Sequence, residues 1–204
     1  MTKKKLALYD LDGTLYDTVD VNYYAYSEAA AEEGYEIDYS FYRKECNGRH
    51  YRYFLPLIGV SDLGVMEKIH DKKKQYYSKY LNRAKENTHL FEMIKLLQKD
   101  YDKVVVTTAS RKNTEEILAK YGRLGLFSGF ITQEDTKKVK PDPEGFLLAM
   151  KQYGAAPKDT VIFEDSDVGI EAAYATGASV FRVMMFDGEQ EELYEGQKEN
   201  IKAG

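Results

Sequence analysis

The sequence predicts an α/β fold: a parallel sheet core flanked by helices, with an inserted α-helical segment. Three observations predict it. Five short, solidly apolar runs are spread along the chain of 204 residues, as in strands covered on both faces. Stretches with helical apolar spacing separate those runs, and strand–helix alternation implies parallel pairing with right-handed crossovers. The alternation breaks once, between Asp20 and about Asn87, where only helical patterns occur.

The first run, KLALY, ends at Asp10 and a glycine turn. Helical patterns then cover residues 22–33, 40–45, 51–58 and 63 to about 84. An all-helical crossover this long reads as a small domain inserted on a loop, which divides the chain into 19–84 and a core of 1–18 with 85–204. The insert is rich in tyrosine, including Tyr23, Tyr24, Tyr26, Tyr42, Tyr51, Tyr53 and Tyr77, read as half-buried residues that pack helices. The core resumes with YDKVVV, followed by Thr107 and Thr108. Ile117, Leu118 and Tyr121 then share a helical face before Gly122. SGFITQED is a weaker strand. In DPEGFLLAMKQYG, Asp142 can cap, Pro143 suits the first turn and Gly154 can stop the helix, while Phe146, Leu147 and Met150 share a face. DTVIFEDSD is the fourth strand and ASVFRV the fifth.

Composition narrows the class. Hydrophobic residues make up 43% and charged residues 31%, which suits a packed globule. A net charge of −5 lacks the basic stripe of a nucleic-acid binder. The one cysteine, Cys46, excludes an intrachain disulfide and suits a reducing compartment. The apolar stretch after Lys3–Lys5 is too short for a signal peptide, and no apolar run has membrane-spanning length. A cytoplasmic protein is expected, with no nucleic-acid or membrane partner.

Three of the strands end in chemistry: Asp10-Leu11-Asp12, Thr108, and Glu164-Asp165. In a parallel sheet these ends share the edge where open α/β sheets bind ligands. Gathered carboxylates repel one another, so a group of Asp10, Asp12, Glu164 and Asp165 calls for a cation. Oxygen-only donors favour Mg²⁺, which takes few carboxylates and keeps sites for phosphate. A carboxylate beside such an ion can act as a nucleophile. Thr108 offers a hydroxyl, the backbone N–H groups after it, beginning at Ala109, open a helix that favours anions, and Lys140 offers a cationic donor. Lys137 and Lys138 are alternatives to Lys140.

The chain resembles the haloacid dehalogenase-like hydrolase superfamily in four motifs that occur in order across nearly its whole length. They are DLDGT at Asp10–Thr14, Thr108 in VVVTTAS, Lys140 in KPDPEGF, and the acidic pair of EDSDVGIEAAYATG. The resemblance implies a Rossmann-like core with a helical cap. It makes Asp10 the nucleophile and Asp12 the general acid, then base. It gives phosphoryl oxygens to Thr108, Ala109 and Lys140. It assigns Mg²⁺ to Asp10, the backbone carbonyl of Asp12, Asp165 and Glu164, with direct or water-mediated binding by Glu164 left open. Many relatives carry GDsxxD as the fourth motif; here Gly169 takes the last position and the second carboxylate has in effect moved to Glu164. In the cap, Arg49 is either a substrate contact or a surface charge.

The expected function is Mg²⁺-dependent hydrolysis of a small phosphate monoester through an aspartyl phosphate. Dehalogenases and phosphonate hydrolases of the superfamily typically lack an aspartate at the place of Asp12. A mutase resembling β-phosphoglucomutase is the nearer rival, but Asn22 stands where that type carries a cap histidine. From another class, the chain is compatible with a phospho-aspartate signalling module or an inactive interaction protein. The sequence does not indicate an oligomeric state.

Overall fold

The computed structural model describes residues 5–97 and 100–184. In chain order the strands are β1 (Lys5–Tyr9), β2 (Tyr16–Asp17), β3 (Lys85–Glu86), β4 (Tyr101–Val106), β5 (Gly129–Ile131), β6 (Thr160–Glu164) and β7 (Ser179–Arg182). The helices are α1 (Val19–Ala31), α2 (Tyr39–Phe41), α3 (Tyr51–Phe54), α4 (Leu63–Tyr80), α5 (Thr88–Leu96), α6 (Arg111–Lys120), α7 (Glu144–Gln152) and α8 (Asp167–Ala175). Five strands form one parallel sheet in the order β5-β4-β1-β6-β7. This is the expected α/β, Rossmann-like arrangement. No helix among the described residues is long and apolar enough to cross a membrane.

The central strand shows why the apolar runs are unbroken. Successive side chains of a strand point to opposite faces. Leu6 and Leu8 pack with Phe146, Ala149 and Met150 of α7 and Ala172 and Ala173 of α8. Ala7 and Tyr9 pack on the other face with Phe91 and Ile94 of α5 and Ile117 and Leu118 of α6. Both faces are covered, so alternation with polar residues never arises.

All five sheet strands lie where the apolar runs place them. Two short elements do not. The stretch from Asp20 to Asn87, read as free of strands, ends in β3, which pairs antiparallel with β2 through Tyr16↔Glu86 and Asp17↔Lys85. Two residues carry no periodicity, so only the pairing reveals them. It brings the two ends of the helical insert together. Within the insert the helix read over 40–45 is α2 continued as a π-helical turn, Tyr42–Cys46. On α7 the buried face is Phe146, Ala149 and Met150, whereas Leu147 is 44% exposed; residue 149, not 147, shares the i, i+3, i+4 face. Asp142 sits one residue ahead of the Pro143 cap and its Oδ1 accepts the Glu144 N–H at 3.0 Å.

The insert has its own apolar cluster, in which Tyr26, Tyr42 and Tyr51 meet Phe54, Leu55, Met66 and Ile69. Tyr77 is buried with the core residues and Tyr53 is exposed. Outside this cluster α1 is tied to α4 by the ion pair of Glu28 with Lys79, and the turn after α1 by Glu33 with Lys68 and Lys72.

Candidate active site

The site forms at the carboxyl edge of β1, β4 and β6. The Asp10 N–H donates to Phe163 O at 3.0 Å, which carries the β1–β6 ladder one residue past the strand and fixes Asp10 at the edge. Gly13 then turns the chain at φ +91, and a Cβ there would lie 2.2 Å from Asp165 Oδ2. Glycine is required both for the left-handed backbone and for this close approach. Thr14 Oγ1 donates to Asp165 Oδ1 at 2.9 Å.

Asp10, Glu164 and Asp165 bring one carboxylate oxygen each within 4.8 Å of one another. Lys140 Nζ donates to Asp10 Oδ1 and, at 2.6 Å, to Glu164 Oε2. Ser166 holds the other Glu164 oxygen, with Oγ at 2.8 Å and N–H at 3.1 Å. Burial first, and then the Glu164 charge, push the Asp10 carboxyl well above the usual carboxylate range. The same causes push Asp165 up to about 6. Burial works against the Lys140 ammonium, but Asp10 and Glu164 outweigh it and raise its pKa above the ordinary lysine value.

Three carboxylates therefore face one ammonium, and the group retains an excess of negative charge. An all-oxygen, partly neutralised donor set fits a hard divalent ion such as Mg²⁺. Asp12 stands apart from this group. Its carboxylate accepts the Thr18 hydroxyl and, at 3.4 Å, the Asn22 amide, and Asn22 Nδ2 also reaches Thr18 Oγ1 at 3.1 Å.

Thr108 is exposed at the end of β4. The Ala109 N–H, expected to face an anion, donates to Thr107 Oγ1 at 3.0 Å. Lys137 is exposed and Lys138 pairs with Asp142 at 2.9 Å, so among the three lysines it is Lys140 that reaches Asp10. Arg49 is exposed, 3.8 Å from Glu45, and is not brought into contact with the carboxylates. Asp17 accepts the nearby Val19 N–H, and Asp20 accepts the Tyr39 hydroxyl from 19 residues away. His50 caps α3, and His70 pairs with Tyr26 and stacks on Tyr51. Burial, and then Lys74 and Lys73, push His70 down to about 3.

Sequence reasoning missed Thr14, Thr18 and Ser166 as supporting groups, although Thr14 lies inside DLDGT. It also missed Lys73. That lysine of α4 lies 5.2 Å from the Tyr26 ring centre and 5.0 Å from that of Tyr77. Burial pushes its ammonium down to about 8, opposed by the charge of Asp12. Nothing local in KKKQYY separates it from its lysine neighbours.

Comparisons with known proteins identify the family. The model of the haloacid dehalogenase-like hydrolase family matches residues 7–183. A phosphorylated carbohydrates phosphatase of Thermotoga maritima is 29% identical over 179 residues, covering 83% of this chain and 80% of that one. A fructose-1-phosphate phosphatase of Escherichia coli is 27% identical over 180 residues, covering 87% and 95%. Among solved structures, CbbY of Rhodobacter sphaeroides in complex with phosphate superposes with a TM-score of 0.79 at 21% identity, covering 90% and 87%. That likeness carries the fold. The matches bear out the expectation of an enzyme of the phosphoric monoester hydrolase class. The chain belongs to the haloacid dehalogenase-like hydrolases.

Proposed function

We propose that this protein is a Mg²⁺-dependent phosphatase that hydrolyses a small phosphate monoester of the sugar or polyol class through an aspartyl phosphate on Asp10. The observation that carries the reading is the buried group of Asp10, Glu164 and Asp165 held against Lys140. The names of the phosphatase relatives support the sugar class, and that of a hexitol phosphatase, matched over 54 residues, supports the polyol class.

Asp10, the backbone carbonyl of Asp12, Asp165 and Glu164 would hold the ion. Bound there, Mg²⁺ supplies neutralisation of the carboxylates and of incoming phosphoryl charge. A carboxylate oxygen of Asp10 attacks phosphorus while the bond to the leaving oxygen breaks. Asp12 delivers a proton to that oxygen, then takes one from the water that attacks the aspartyl phosphate and releases inorganic phosphate. The Thr18 hydroxyl and the Asn22 amide orient Asp12. Lys140, the Thr108 hydroxyl and the Ala109 N–H, released from Thr107, hold phosphoryl oxygens. Residues 19–84 act as a cap that shields the site from bulk water, with 1–18 and 85–204 as the catalytic core.

The test is phosphate release from a panel of sugar, polyol and aryl phosphates, with Mg²⁺ and with chelator. Mg²⁺-dependent release is expected; absence of release from every substrate overturns the reading. Phosphorus NMR of a hexose 1-phosphate with a trace of bisphosphate separates hydrolysis from a mutase. Asn22 beside Asp12 cannot titrate near neutral pH, and free phosphate is expected to dominate. Isomerised sugar phosphate appearing much faster than free phosphate makes the protein a mutase.

A further inference from the structure

Lys140 lies in a loop between β5 and α7, and its ammonium is aimed at Asp10 and Glu164 from that loop. The loop is held by a carboxylate outside the carboxylate–lysine group. Glu144 Oε2 accepts the backbone N–H of Lys137 at 3.0 Å and that of Lys138 at 2.7 Å. We propose that Glu144 is a positioning residue for the reaction: it ties the loop to the first turn of α7 and so sets where the Lys140 ammonium meets the phosphoryl group. The inference rests on the reading of Lys140 as a phosphoryl ligand.

The anchor is firm because α7 is firm. Residue 145 is a glycine whose added Cβ would stand 3.1 Å from Val106 Cγ1, so the first turn of α7 lies directly against β4, the strand that leads to Thr108. Next to it Phe146 is buried at 1% exposure, and its ring centre is 5.2 Å from Lys140 Nζ. Asp142 closes the loop from the other side. Its Oδ1 takes the Glu144 N–H at 3.0 Å, and its own N–H donates to Val139 O at 3.0 Å. The buried sheet, the start of α7, the Glu144 carboxylate, the backbone of 137–138 and Lys140 thus form one chain of contacts. The exposed pair of Lys138 with Asp142 adds little, as surface ion pairs do. Two amides on one ionised carboxylate are charge-assisted and stronger.

The experiment is a double-mutant cycle with full-length protein, read by kcat on an alkyl phosphate and by inhibition with inorganic phosphate. Lys140→Ala is expected to lose most turnover. Glu144→Ala is expected to lose ~10²-fold in kcat, the cost of misplacing a catalytic group by about an ångström, and to weaken phosphate inhibition. Added to Lys140→Ala it should cost nothing further, because the group it positions is gone. Glu144→Gln keeps an oxygen that accepts both amides and should recover most of the loss, which a general loss of packing would not predict. Should Glu144→Ala fail to fold, Glu144→Asp, shorter by one methylene, takes its place in the cycle. Independent, multiplicative losses, or a Glu144→Ala enzyme that folds and turns over like wild type, overturn the proposal. An active Lys140→Ala enzyme overturns instead the phosphoryl role of Lys140.

Discussion

Gly169 and Glu164 compete for a single volume: a Cβ on residue 169 would lie 2.1 Å from Glu164 Cδ and 2.2 Å from its Oε1. Gly169 is in the first turn of α8, where its N–H donates to Ser166 Oγ at 3.1 Å. A helical Gly→Ala change ordinarily stabilises by about 1 kcal/mol. Here the methyl group would displace the carboxylate. Gly169→Ala is expected to fold yet to lose ~10–100-fold in Mg²⁺ affinity, the usual cost of disturbing a metal site's supporting residues. The double variant Glu164→Gly with Gly169→Asp, which returns a carboxylate to the same space, should recover part of it. Mg²⁺ titration by calorimetry checks both; wild-type affinity in Gly169→Ala removes Glu164 from the metal site.

Asp10→Asn is expected to abolish turnover while the fold survives. Uncatalysed phosphate monoesters are so slow that accelerations reach ~10²¹, and the variant lacks the carboxylate nucleophile. Steady-state assay beside circular dichroism decides it. More than about a tenth of wild-type kcat would refute the nucleophile assignment.

Asp12→Asn should cost ~10²–10⁴ in kcat on an alkyl phosphate, the usual share of general acid–base catalysis. The loss should shrink on an aryl phosphate whose leaving group needs no proton. Equal losses on both substrates would exclude Asp12 as the leaving-group acid. Asn22→Ala, which removes one of the two donors on the Asp12 carboxylate, should lower kcat on the alkyl ester by a smaller factor.

On the proposed function, Mg²⁺ and the proton would compete for Asp165. In the metal-free protein its carboxyl is pushed up to about 6. A raised carboxyl favours the fold while protonated, so its contribution is complete below its ordinary range and is lost as pH rises through about 6. Mg²⁺ needs the ionised form, and its stabilisation has the opposite sign. The Mg²⁺-induced rise in Tm should therefore be several degrees larger at about pH 7.5 than at about pH 5. Thermal melts at saturating Mg²⁺ and in chelator measure it. An equal rise at both values would show that no carboxyl of the site takes up a proton in that window.

Much of this protein is legible in one dimension because the information is local. A strand segment buried on both faces must be apolar throughout, and Leu6–Tyr9 and Val104–Val106 are. A parallel sheet sends its strand ends to one edge, so Asp10, Thr108 and Glu164-Asp165 were assignable to one place. The family resemblance matched Lys140 in KPDPEGF with Lys137 and Lys138 as alternatives, and among those three it is Lys140 that reaches Asp10.

What only the tertiary structure decided are relations between residues that no period connects. The β2–β3 pair exists because two dipeptides about 70 residues apart meet. Asp12 turns towards Thr18 and Asn22 because α1 begins there, leaving three carboxylates in the group instead of four. The Glu144 anchor depends on the path of a loop across the start of α7. The resemblance already paired Gly169 with Glu164, but that a Cβ at 169 would collide with the Glu164 carboxylate is visible only in the fold. Sequence patterns report which surfaces must be buried, because burial is enforced residue by residue. Which atoms then exclude or hold one another depends on distances that only the folded chain defines.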